Sequence, residues 1–340
     1  MRSAKYLSAL ALLAGTSLFA QTPGGDVSEA ARHVEAATKL AGDDLKTPLF
    51  LCRPDGGKVI GHALIEDIKH WYRPVKLFDN LYFIGNGFVG TYIVKTSKGL
   101  VLFDALMSDE VIRDRVVPGL TELGLDPKDI KYAVVTHGHW EHYAGGPYLQ
   151  RVYGTKVGLS AADWDYMVHR PVDAPDIAHH APPRRDWVIT DGEKLKLGDT
   201  TIDLYITPGH SAGTVSAIIP VHDKGKTYVF SLLGGTAIPP QLEPINLHGG
   251  IRSGAIDPFI ASIDRLGRIA ADAGAVGILN THAFGDGGLE RIDAAIAKGD
   301  GSPLLIGQDA VRRYYALFGE CLQAARARAI ANPPAPDRVF

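Results

Sequence analysis

The chain of 340 residues sets 35 Lys and Arg against 38 Asp and Glu, a net charge of −3, with 46% hydrophobic and 21% charged residues. That balance excludes an extended disordered chain and a basic nucleic-acid-binding protein. The length suffices to bury a core in one large or two ordinary domains.

Residues 1–20 open with Arg2 and Lys5, continue as an apolar run from Leu7 to Phe19 and end in Ala20 before Gln21, the pattern of a secretory signal. The run is interrupted by Gly15, Thr16 and Ser17 and falls short of the roughly 20 residues that span a bilayer. The expected location is therefore periplasmic or secreted, with no membrane attachment once the signal is removed. Cys52 and Cys321 are the only cysteines. In an oxidising compartment they either pair or stay two separate buried thiols, and the residues leave both readings open.

Residues 21–74 read as a polar N-terminal extension, 75–330 as the main domain and 331–340 as a tail. Within the domain, Leu77–Ile84, Thr91–Thr96 and Leu100–Phe103 are expected strands from their β-branched and aromatic content, with Ser97-Lys98-Gly99 as a turn. Ser108 caps an expected helix reaching Leu123, and Ile130–Val135 is a buried strand that ends at Thr136. Helices follow at Gly146–Val152 and Ala161–Val168, around a strand at Lys156–Leu159. A loop at Arg170–Arg185 leads to strands Thr201–Ile206, Thr214–Pro220 and Thr227–Leu232. Helix Asp257–Ala273, strand Val276–Leu279, helix Leu289–Ala297 and a last helix from Asp309 to about Ala329 complete the series. Strands and helices recur in two halves, each closing on a histidine-bearing loop, which favours two stacked sheets with helices outside.

Two motifs mislead. Gly85-Asn86-Gly87-Phe88-Val89-Gly90 fits the dinucleotide pattern, but Thr91-Tyr92-Ile93-Val94 are strand formers where that fingerprint requires a helix. A glycine-rich hairpin is expected instead. Gly209-His210-Ser211-Ala212-Gly213 fits the nucleophile elbow of serine hydrolases, which also needs a following helix, and Thr214–Ile219 is again strand-like.

The segment His137-Gly138-His139-Trp140-Glu141-His142 carries more chemistry: three imidazoles and a carboxylate in six residues, on a loop leaving a strand. Imidazole nitrogen and carboxylate oxygen are zinc donors, and hydrolytic zinc sites keep a position open for water. His210 and His282 each follow another hydrophobic strand, so two three-ligand sites are expected. His169, His179, His180, His222 and His248 lack that framing, although His248 could line a substrate cleft.

With THGHWEHYAGG, TPGHSAG and LNTH on the page, the chain from Leu77 to Cys321 resembles the metallo-β-lactamase superfamily, whose hallmark is H-x-H-x-D-H. The resemblance implies an α/β fold, a four-layer αββα sandwich with metals at one edge. By position it implies one Zn²⁺ held by His137, His139 and His210, and a second by Glu141, His142 and His282. Asp104, in Leu102-Phe103-Asp104, resembles the acidic residue ahead of the metal loop and would hold a histidine tautomer; with Glu141 it is a candidate catalytic residue. Several branches place a bridging Asp or a Cys after a later strand, whereas Phe230–Thr236 contains neither. That makes the chain most similar to the third subclass of class B β-lactamases.

Glu141 stands where the family has Asp, and its extra methylene displaces the carboxylate by about 1.5 Å. Either the loop shifts to accept it, or the second zinc binds weakly, or activity is poor. Replacing Glu141 by Asp is accordingly expected to raise second-site occupancy. Thr236, His248 and Trp140 are the candidate substrate contacts, with Tyr143 and Phe284 as further wall residues. The expected activity is opening of a cyclic amide by zinc-activated water on a small-molecule substrate, a β-lactam or a lactone. A catalytically weak metal-binding periplasmic protein is a further alternative.

Overall fold

Alternation within single strands decides the layering. The computed structural model describes residues 24–54, 60–63, 66–169, 180–244, 246–247 and 251–333. In β4 (Gly99–Phe103), Val101 and Phe103 enter one apolar cluster and Leu100 and Leu102 another, as period-two geometry requires of a strand buried on both faces. In β10 (Val215–Asp223), Ala217 and Ile219 join the first cluster while Ile218 faces a third.

The shared cluster lies between two sheets. The first runs in the order β1 (Val75–Lys76), β2 (Leu81–Gly85), β3 (Gly90–Thr96), β4, β5 (Ile130–Val134), β6 (Lys156–Ser160) and β7 (Trp187–Ile189). It is antiparallel through β4 and parallel from β4 onward. In the second sheet β8 (Glu193–Leu197), β9 (Thr200–Ile206), β10 and β11 (Lys226–Leu232) form an antiparallel meander. A small pair, β12 (Asn246–Leu247) and β13 (Ile251–Arg252), stands apart, and β14 (Gly277–Leu279) pairs parallel with β11.

Helices cover both outer faces. Against the first sheet pack α2 (residues 109–122), the single-turn α3 (Trp140–Tyr143), α4 (Gly146–Tyr153) and α5 (Ala161–His169). Helix α2 is interrupted by a π segment, Ile112–Val116, just ahead of Pro118, which has no N–H to give the ladder. Against the second sheet pack α6 (Ile256–Asp272) and α8 (Gln308–Ala331), and α1 (Gly24–Ala41) packs on α8. The short α7 (Gly288–Lys298) inserts Ile292 and Ala295 at the margin of the intersheet core. The four-layer αββα sandwich is thus present.

The sequence reading lacks β1, β12, β13 and the single-turn α3, all of four residues or fewer, and also α1, β7 and β8. Helix α1 falls in the stretch read as polar, and its buried positions are Ala30, Ala37 and Ala41, too small to mark an apolar stripe. Strands β7 and β8 are short, and β8 (EKLKL) is an edge strand in which only Leu195 is fully buried. The Gly85 to Gly90 segment is the hairpin expected of it, with Gly85 opposite Gly90 in register. Cys52 and Cys321 form a disulfide, which ties the segment after α1 to the middle of α8. Among the described residues no helix is long and apolar enough to cross a membrane. Residues 1–20, the expected signal, lie outside them.

Candidate metal centre

Strand direction brings the histidine loops together. Strands β4 and β5 are parallel, so Asp104 and His137 leave the first sheet at one edge. Strands β9, β11 and β14 also share a direction, so His210, the Gly234-Gly235-Thr236 segment and His282 leave the second sheet together. Carboxyl ends of strands are where open sheets place ligands.

Three nitrogens converge there. Nε2 of His137 lies 3.1 Å from Nδ1 of His139 and 3.0 Å from Nε2 of His210, and the last two are 3.2 Å apart. A tetrahedral zinc with bonds of about 2.0–2.1 Å requires donor separations of about 3.4 Å, so the triangle fits one ion with little adjustment. A second triangle adjoins it: Nε2 of His142 and Nε2 of His282 are 3.0 Å apart, and Oε1 of Glu141 is 3.6 Å from each. The rings of His137 and His142 are 4.0 Å apart between centroids, so the two triangles are neighbours.

Four of the five histidines have their outward nitrogen fixed. Nδ1 of His137 donates to Gly234 O at 2.8 Å, that of His210 to Ala237 O at 2.8 Å, that of His282 to Phe88 O at 2.7 Å, and that of His142 to Asp104 Oδ2 at 2.6 Å. Each bond places the proton on Nδ1 and turns the Nε2 lone pair inward, the tautomer a metal needs. His139 differs in presenting Nδ1. Gly235 is required by close approach, because a Cβ there would enter the His210 ring.

Electrostatics follow from burial and these partners. Burial and the surrounding imidazoles hold His137 well below its ordinary range, and burial lowers His210 to about 4. Burial also opposes charge on His142, but the Asp104 and Glu141 carboxylates outweigh it and push the ring up to about 9. Glu141 is likewise buried, yet its bonds to His142 and His282 hold it well below the carboxylate range. Asp104 has φ of +74°, rare for a residue with a side chain, and accepts from Thr136 N at 2.7 Å and Thr136 Oγ1 at 3.1 Å besides His142.

One residue escaped the sequence reading. Asp163, at the start of α5, accepts from Gly138 N at 2.9 Å and Ser211 Oγ at 2.7 Å, so a single carboxylate joins the two histidine loops. Its other oxygen has no hydrogen-bond partner among the described residues, and burial pushes the carboxyl up to about 6. The signal was available: Ser160 Oγ accepts from Asp163 N in a capping box, S-x-x-D, opening a helix straight after a strand. Ser211 itself is followed by strand β10 and not by the helix a nucleophile elbow requires.

A cavity of about 810 Å³ opens over both triangles, with His139, Glu141, His210 and His282 at its floor. Thr236 and Phe284 line it. Trp140 does not; its ring stacks on His180 at 4.8 Å. Tyr143 is buried in the core beneath α3, and His248 lies outside the described residues.

Comparison with known proteins agrees with this geometry. Residues 84–230 match the model of the metallo-beta-lactamase superfamily. Among solved structures, a subclass B3 metallo-beta-lactamase of Bradyrhizobium japonicum is similar with a TM-score of 0.61 at 23% identity, covering 75% of this chain and 92% of that one. A subclass B3 enzyme from a soil metagenome gives 0.62 at 22%, covering 78% and 99%. Among curated sequences, a hydroxyacylglutathione hydrolase of Jannaschia sp. is 31% identical over 87 residues, 26% of this chain and 28% of the relative. An N-acyl homoserine lactonase of Bacillus thuringiensis is 22% identical over 158 residues, 40% and 60% respectively. The chain thus spans less than two thirds of the length of these curated relatives.

Proposed function

Since the chain belongs to the metallo-β-lactamase superfamily, we propose that it is an exported zinc-dependent hydrolase that opens a cyclic amide, with a β-lactam as substrate. The observation that carries this reading is the pair of adjacent donor triangles, His137/His139/His210 and Glu141/His142/His282, each completed by a histidine. The segment Leu232–Thr236 between them supplies neither Asp nor Cys. The signal-like residues 1–20 and the Cys52–Cys321 disulfide support export.

The donor set fits zinc, imidazole and carboxylate being its ordinary ligands. Zinc, when bound, supplies a Lewis acid for the amide carbonyl and brings the pKa of water down to about 7. The chain's own residues prepare that chemistry. Asp104 and the carbonyls of Phe88, Gly234 and Ala237 keep the Nδ1 protons in place, so none of these four imidazoles has to rotate before a cation enters, and His142, pushed up to about 9, gives up its Nε2 proton to admit one. Glu141 contributes the one negative charge among the six donors. The cavity's apolar walls, with Phe50, Phe88 and Ile238 among them, strip water from a bound ring and strengthen each electrostatic contact below it.

The test is turnover of nitrocefin and a carbapenem by the purified mature chain, with and without a chelator, followed by zinc readdition. Absence of hydrolysis at every zinc concentration removes the β-lactam reading. A lactone or other ester as substrate is the second reading, supported by the sequence similarity to an N-acyl homoserine lactonase and a hydroxyacylglutathione hydrolase. A lactone panel run beside the β-lactams decides between them.

A further inference from the structure

Helix α8 carries four arginines, and three of them meet carboxylates. Arg312 meets Asp309, Arg313 meets Asp44 at 2.7 Å and Asp309 at 2.9 Å, and Arg326 meets Asp257 at 2.7 Å. Arg328 has no ion pair or side-chain hydrogen bond among the described residues, although it is half-buried. Its surroundings are the cavity above the donor triangles.

The helix period explains how it arrives there. Ala325, Arg328, Ala329 and Asn332 stand at i, i+3, i+4 and i+7, so one stripe at the end of α8 forms part of the cavity wall. Cys321 precedes that stripe by one turn, and its disulfide brings Phe50, Leu51 and Arg53 to the same cavity. Two guanidinium groups, Arg53 and Arg328, therefore occupy a wall otherwise made largely of apolar side chains. Among the described lining residues the single carboxylate is Glu141, which lies among the histidines. Among the described residues the lining thus combines metal donors, largely apolar side chains and two guanidinium groups. Burial lowers Arg328 from its ordinary range, so its charge is poorly solvated where it stands.

We propose that Arg328, in a cavity that Arg53 also lines, is its carboxylate-recognition group and selects substrates carrying a free carboxylate on an apolar body. The proposal rests on the hydrolase reading above and adds the substrate class. A guanidinium fork matches a carboxylate with two parallel bonds, and the pairing is strongest where water is excluded. The competing role for Arg328 is to complement the C-terminal end of the α8 dipole. That role concerns stability and is indifferent to the substrate.

The experiment compares benzylpenicillin with its methyl ester on the zinc-loaded wild type, Arg328→Gln and Arg328→Lys, with melting temperature as a folding control. The wild type should prefer the acid, and Arg328→Gln should lower kcat/KM for the acid by about 10- to 100-fold while leaving the ester unchanged. Arg328→Lys should recover part of the loss. Equal effects on acid and ester, or none, overturn the proposal. Should the wild type hydrolyse neither compound, the hydrolase reading fails by itself, and calorimetric binding of the same pair decides this one. Tighter binding of the acid that Arg328→Gln abolishes supports it, and equal or undetectable binding of the two overturns it.

Discussion

Nδ1 of His142 lies 2.6 Å from Oδ2 of Asp104, with both side chains wholly buried. The carboxylate also takes the Thr136 N–H and hydroxyl, so it positions the start of the histidine loop and one donor of the second triangle together. Asp104→Asn keeps the volume but removes the charge facing the imidazole. Affinity for zinc at the second site should fall about 10- to 100-fold, with a smaller change at the first. Competition with a chromophoric chelator measures both steps; unchanged stepwise affinities would show that Asp104 serves only the backbone.

The placement of Glu141 favours an outcome opposite to the one expected from the sequence for Glu141→Asp. Oε1 is equidistant from His142 and His282 because α3 seats the longer side chain between them. Shortening the side chain in Glu141→Asp withdraws the oxygen by about 1.5 Å, where ligand distances tolerate only about ±0.2 Å. On the two-site reading proposed above, zinc content should drop from two ions per chain toward one, with activity falling alongside. Mass spectrometry under native conditions reads the stoichiometry, and full retention of two ions would mean the loop recloses around Asp.

Asp163 gives stability a sign that opposes ordinary acid denaturation. Its carboxyl is raised from 3.8 to about 6 in the folded chain, so between those values the native state holds more protons than the unfolded one. Stability from this group is therefore highest below pH 3.8 and is lost as pH rises through about 6. Asp163→Asn removes the titration, and its stability relative to wild type should improve by about 3 kcal/mol from acid to neutral pH, since each pH unit between the unfolded and folded values contributes about 1.4 kcal/mol. Urea denaturation of both proteins with chelator present, across pH 4 to 7, tests it; a pH-independent difference refutes the assignment.

The Cys52–Cys321 bridge closes a loop of 269 residues. Its removal in Cys52→Ser with Cys321→Ser should cost about 2–5 kcal/mol. It should also raise KM more than it lowers kcat, because the bond holds a wall of the cavity and none of the donor triangles. Calorimetric melting and steady-state kinetics separate the two effects, and a loss confined to kcat would contradict this division.

The layering was legible because strands such as β4 and β10 put apolar residues on both faces, and the histidine cluster because it follows the buried strand β5. His210 and His282 were legible from their flanks. The groups that orient these rings were not: Gly234 O, Ala237 O and Phe88 O are backbone atoms far away in sequence from the histidines they serve, and carbonyls carry no residue-type signature. Helix α1 was hidden by alanine, whose burial leaves almost no hydropathy contrast. The cavity wall was hidden for a different reason, since it joins residues near position 50 to residues near position 328, and no local spacing records that meeting.

That meeting divides labour along the polypeptide. The six proposed donors lie between residues 137 and 282, whereas residues near 50 and near 328 come together only at the cavity wall. Substitutions at either terminus can therefore retune which molecules are admitted and leave the reacting machinery intact, so a swap of residues 47–54 and 321–333 between relatives is the natural place to begin engineering selectivity.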